Sequence, residues 1–176
     1  MAAVRASDVR SLLDYTSWAN RQILDTARAV PVESFTARSE VTWRNLRGTL
    51  VHTLDVERSW RARLQGRPRE EWDPDLPEEE FPTVEAIAER WAPEDDVMRS
   101  WLESLDDDSM AALVDLGGAN RFPLWYFLMH IVTHSAQQRR DSTILLTLAG
   151  HAPPEIEFLD YADWLEGRAR TETPGS

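Results

Sequence analysis

Residues 123–150, PLWYFLMHIVTHSAQQRRDSTILLTLAG, decide the fold. Pro123 suits the first turn of a helix, a long periodic segment follows, and Gly150 stands where helices commonly end. The stretch predicts a helix over about residues 123–149. At ~100° per residue, His130, His134, Gln138 and Asp141 fall within about 80° of one another, beside a stripe containing Phe127, Ile131 and Leu145. A polar edge leans inward on a long helix, so other helices must cover it.

The rest of the chain supplies them. From Ser7 to Ala29, apolar or small residues recur at Val9, Leu12, Leu13, Thr16, Ala19, Ile23, Leu24 and Ala27, one face of an amphipathic helix capped by Ser7 and stopped by Pro31. A second segment runs from about Asn45 to Gln65 and ends at Gly66 and Pro68, carrying His52, Glu57 and Trp60. The acidic, proline-rich stretch GRPREEWDPDLPEEEFP, residues 66–82, reads as an exposed loop. Thr83 caps a third helix reaching about Leu105, with Pro93 predicting a kink or a break. SMAALVDLGGANRF, containing Gly117 and Gly118, reads as a short hairpin or irregular turn. A short helix over about Glu155 to Glu166 follows the long one, then a flexible tail over residues 167–176. The expected architecture is all-α: a single helix-bundle domain over residues 1–166 with an additional short C-terminal helix.

Composition narrows the function. The formal net charge is -12, and the basic residues are scattered among acids, which disfavours nucleic acid and anionic membrane surfaces as partners. No run approaches the ~18 apolar residues of a membrane span, and MAAVRASDVR lacks the apolar centre of a signal peptide, so a cytoplasmic protein is expected. The chain has no cysteine, hence no thiolate ligand or nucleophile of its own; thiol chemistry here requires an external thiol. The 8 tryptophans imply a large aromatic contribution to core, pocket or interface.

His130 and His134 have the one-turn spacing at which two imidazoles converge on one ion, and His52, mid-helix beside Leu50, Val51 and Leu54, is the natural third ligand from another helix. Neutral imidazoles suit Zn, Ni, Fe, Mn or Co. The same spacing also fits a hydrogen-bonded polar stripe with no metal. The chain lacks His-Glu-x-x-His, the Glu-x-x-His pair of di-iron bundles, serine-nucleophile motifs and phosphate loops.

Three segments together, LLDYTSWANRQIL, LRGTLVHTLDVERSWRARLQG and FPLWYFLMHIVTHSAQQRRDSTILLTLAGHAPPEIEFLDY, resemble the DinB-like (DinB/YfiT) superfamily of metalloenzymes, which is distinct from the DNA polymerase sharing the name. The resemblance implies an up-down-down-up four-helix bundle, commonly a homodimer, whose histidine triad holds a divalent metal. In some branches that metal serves transfer or isomerisation reactions of a low-molecular-weight thiol. His52 and His134 match the family's ligand positions. Many relatives have histidine where this chain has Gln138, which leaves His130, the Gln138 carbonyl or a water to complete the site, or leaves the site empty. Asp141 or Glu57 would orient a ligand imidazole, Trp60, Trp125 and Tyr126 would wall a pocket for a small-molecule substrate, and Arg139 and Arg140 would dock a carboxylate at its rim. His151, in a Gly-Pro loop, is not expected to be a ligand. The competing reading is a non-catalytic, stress-related dimerisation module whose triad has decayed.

Overall fold

The computed structural model describes residues 4–118 and 121–172. Four long helices form the bundle: α1 (Ala6–Ala27), α3 (Leu46–Leu64), α4 (Val84–Glu103) and α6 (Leu124–Leu148). Around them lie α2 (Val32–Thr36), α5 (Asp107–Ala111), a two-residue hairpin of β1 (Leu113–Val114) and β2 (Phe122–Pro123), and α7 (Phe158–Glu172). Of the hairpin or irregular turn expected around Gly117 and Gly118, the structure has the short hairpin, and Gly117 adopts a positive φ of 80°.

The long helices pack in a ring, α3 on α6, α6 on α1, α1 on α4 and α4 on α3. Side-chain pairs fix their directions. Trp60 meets Phe127 whereas Leu50 shares a cluster with Leu146, so α3 and α6 are antiparallel. Glu57 meets Trp91 and Arg61 pairs with Glu94, so α3 and α4 run parallel. Ser17 bonds to Asp95 and Arg10 to the Leu102 carbonyl, so α1 and α4 are antiparallel. The order is up, down, down, up. Parallel α3 and α4 require a connection that returns along the bundle, and residues 65–83, with 3-10 turns at Arg69–Glu71 and Glu78–Glu80, provide it.

Helix ends follow local chemistry. Asn45 caps α3 by accepting from the Gly48 amide at 2.8 Å and also donates to the Thr36 carbonyl, joining α2 to α3. Thr83 caps α4, which continues through Pro93 as one helix rather than two. Gly66 and Gly150 take positive φ just beyond α3 and α6, where paired backbone bonds back into each helix close the C-terminus. His151 supplies one of those amides, to the Leu146 carbonyl at 2.8 Å.

Three expectations shift. The first helix begins at Ala6, so Ser7 lies inside it instead of capping it. Residues 107–111 form α5, nucleated by a reciprocal cap between Asp106 and Ser109. The C-terminal helix starts at Phe158 and runs to Glu172, so residues 167–172 are helical rather than tail; residues 173–176 lie outside the described residues. Contacts with α1 account for its placement: Tyr161 packs on Trp18, and Tyr15 on Phe158.

Two apolar clusters fill the bundle. Ile23, Leu24, Leu50, Leu54, Ile87, Trp91 and Leu146 pack at one end, and Val9, Leu13, Leu102, Leu128 and Ile131 at the other. Between them each long helix contributes polar residues: Asn20 from α1, Glu57 and Arg61 from α3, Glu94 and Asp95 from α4, Ser135 and Arg139 from α6. Among the described residues no helix is long and apolar enough to cross a membrane.

Candidate functional site

Antiparallel packing of α3 on α6 brings His52 and His134 together. Their ring centroids are 5.1 Å apart at an interplanar angle of 72°. Both rings are half-buried, and both pKa values fall below the ordinary imidazole value. Burial is the main cause for each; the Arg44 guanidinium acts second on His52, and the neighbouring His52 second on His134, whose pKa is lowered to about 4. Both therefore carry free lone pairs at neutral pH. The Nδ1 atom of His134 is buried and has no hydrogen-bond partner among the described residues.

His130 is exposed and turned toward a different neighbour. Its ring packs edge-on against Trp60 at 5.1 Å, while its centroid is 6.1 Å from that of His134. Trp60 in turn contacts Phe127, and Arg63 lies over its face at 5.5 Å. Trp125 and Tyr126 pack on each other farther along, with Tyr126 stacked on Phe122. An aromatic ledge thus adjoins the histidines on the hairpin side.

The polar middle layer lies immediately behind. Glu57 is buried, with Oε1 accepting from Ser135 Oγ at 2.6 Å and Asn20 Nδ2 at 2.9 Å, and Oε2 from Trp91 Nε1 at 3.1 Å. Burial pushes its pKa up to about 7 against the opposing pull of these donors. Arg139 Nη1 donates to Asn20 Oδ1 at 3.1 Å, so an amide stands between the acid and this buried guanidinium. A small pocket of about 30 Å³ borders Glu57, Ser17 and Asp95.

The expected site residues separate into groups. His52 and His134 meet. Glu57 commits its oxygens to Ser135, Asn20 and Trp91, not to an imidazole, because it points into the bundle while the histidines lie along its α3–α6 groove. Asp141 is half-buried and forms no hydrogen bond to a histidine among the described residues. Arg139 is 5% exposed, tied to Asn20 and stacked over Tyr15, while Arg140 is exposed. Asn20, Trp91 and Ser135 escaped sequence reasoning; their only signal was a polar atom within a buried helical stripe.

Two neutral imidazoles from facing helices, one with a buried unpartnered nitrogen, fit a divalent metal as a pair of ligands. A larger protein ligand set does not accompany them: among the described residues, no group of three or more His, Asp or Glu side chains is placed to hold an ion. Half-buried Gln138 is one turn beyond His134 on the same edge of α6 and carries a side-chain carbonyl.

The DinB family profile matches residues 4–172. Among solved structures, the chain is similar to a DinB-like protein from Bacillus cereus ATCC 10987, with a TM-score of 0.65 and 17% identity over 83% of this chain and 95% of that one. It is also similar to a conserved protein from Enterococcus faecalis, with a TM-score of 0.64 and 12% identity over 84% and 98% of the respective chains. These likenesses establish the shared fold. A search of curated proteins finds no match.

Proposed function

The chain belongs to the DinB family, and from that premise we propose that it is a divalent-metal-dependent enzyme acting on a small molecule with an external low-molecular-weight thiol or water. The observation that carries this reading is the His52–His134 pair, 5.1 Å apart and neutral at physiological pH. His52 and His134 would hold Zn, Ni, Fe or Mn, with the Gln138 carbonyl and solvent filling further positions. A divalent ion, when bound, supplies Lewis acidity that favours the deprotonated form of a coordinated thiol or water. The protein's own groups orient and enclose: Trp60 and Phe127 present an apolar wall, and the Ser135–Glu57 bond holds α6 in register beneath His134. This reading includes a cytoplasmic homodimer, which sedimentation of purified protein and localisation of a tagged chain would test.

Metal content of protein purified without a histidine tag tests the site, together with cobalt(II) titration of the wild type and four variants. His52→Ala and His134→Ala are expected to abolish stoichiometric binding, exceeding the ~10–100-fold typical for loss of a group behind a ligand. His130→Ala should leave affinity nearly unchanged, and Gln138→Ala should weaken it modestly. Metal-free wild type that ignores cobalt sinks the proposal. The second reading, a non-catalytic, stress-related dimeric bundle with a decayed triad, draws support from the packing of His130 against Trp60 and predicts that metal-free result.

A further inference from the structure

A separate pocket of about 330 Å³ lies between α1, α6 and the segment joining α6 to α7, with Tyr15, Arg139, Arg140, Pro153, Glu155 and Glu157 on its walls. It is on the other side of α6 from the imidazole pair: at ~100° per residue, Ala136, Arg139, Arg140 and Thr143 point between about 120° and 180° away from His134.

The charges around this pocket are unbalanced wall by wall. On the helix side Arg139 is 5% exposed, its guanidinium lies 5.2 Å over the Tyr15 ring, and among the described residues its Nη2 finds no carboxylate or carbonyl acceptor. Its link to a carboxylate is indirect, through Asn20 to Glu57. Arg140, exposed at the mouth, forms no ion pair among the described residues; neither do Glu155 and Glu157 on the facing segment. That segment is held across α1 by the Tyr15 hydroxyl, which donates to the Ile156 carbonyl at 2.8 Å. Cations on one wall therefore stay apart from carboxylates on the other, across a space of ligand size.

We propose that this pocket binds a small zwitterion, an α-amino acid with an apolar or aromatic side chain. The carboxylate faces Arg139 and Arg140, the ammonium faces Glu155 and Glu157, and the side chain lies against Tyr15 and the prolines. Each charged end then gains the opposite charge that its wall lacks, the buried Arg139 guanidinium supplying the contact least screened by water. The site is independent of the histidine pair and of any metal there.

Amide-resolved NMR titration of the full chain with L-phenylalanine, phenylacetate and phenethylamine tests it. L-Phenylalanine should bind saturably, shift amides of residues 136–143 and 155–157, and bind about tenfold tighter than either singly charged analogue, the loss of one charge-assisted hydrogen bond. Arg140→Gln and the double change Glu155→Gln with Glu157→Gln, all at exposed positions, should each remove about tenfold of that affinity without altering the helical spectrum. The proposal is overturned by absence of saturable binding, by binding indifferent to these changes, by shifts centred on His52 and His134, or by either phenylacetate or phenethylamine matching L-phenylalanine.

Discussion

Ser135 donates its hydroxyl to Glu57 Oε1 at 2.6 Å in the middle of the bundle, and the residue preceding Ser135 on α6 is His134. One buried bond between α3 and α6 therefore lies directly behind the pairing of His52 with His134. Ser135 is fully buried. Ser135→Ala should destabilise the fold by about 1.5–3 kcal/mol, as for a buried hydrogen bond to an ionisable group. It should also raise the Glu57 pKa further. Urea unfolding near pH 7 and carboxyl-carbon NMR check the two effects.

Glu57 makes stability depend on pH in a specific sense. Its folded-state pKa of about 7 lies above the ordinary glutamate value. Between the two, the folded chain holds a proton that the unfolded chain has released, so this group's contribution falls as pH rises from about 4.5 to about 7 and then levels off. The full change is on the order of 3 kcal/mol. Asp95 and Asp14, also raised by burial, act in the same direction, so the comparison must be with Glu57→Gln. Unfolding free energies of the variant should lack most of the decline; parallel wild-type and variant curves would refute the assignment.

The histidine pair acts oppositely. His52 and His134 have lowered pKa values, so as pH falls the unfolded chain takes up protons first and the folded state loses stability between the ordinary imidazole value and the lowered one. Ring-proton NMR of metal-free protein should give His134 a midpoint near 4 and His52 a midpoint below the ordinary histidine value. A His134 midpoint near 6.5 would contradict the buried pairing.

Asn45 does two jobs, capping α3 through Oδ1 and holding the Thr36 carbonyl through Nδ2. Asn45→Ala should cost about 1–2 kcal/mol, whereas Asn45→Asp keeps the cap acceptor, loses the donor to α2, and should fall between. Thermal unfolding of the three proteins ranks them; an Asp variant as weak as the Ala variant would remove the cap from the account.

Helix boundaries that depend on neighbours in sequence were readable. Asn45, Gly66, Thr83 and Gly150 each act within one turn of their own position, so composition and spacing reveal them. The C-terminal boundary moved because of distant partners: α7 is positioned by Trp18 and Tyr15 of α1, whose contact with Tyr161 and Phe158 no local pattern records, whereas the α5 cap of Asp106 and Ser109 is local and was overlooked. The candidate site divides in the same way. The pairing of His52 with His134 followed from helical phase together with the family resemblance. The turn of His130 toward Trp60 depends on how α3 rolls against α6, and the sequence favoured His130 as the third ligand with Gln138 as the alternative.

By itself the sequence determined that the chain would be a bundle of amphipathic helices, with an acidic surface, no thiol of its own, and histidines on a polar edge of its longest helix. Periodicity and capping are local, and charge and composition are sums over residues. Only the tertiary structure decided which polar residues meet. Glu57, Asn20, Trp91, Ser135 and Arg139 come from four different helices, and their hydrogen bonds exist only at one register of the ring. A buried acid must find its donors there or bear the cost of desolvation, so the middle layer reports the packing itself.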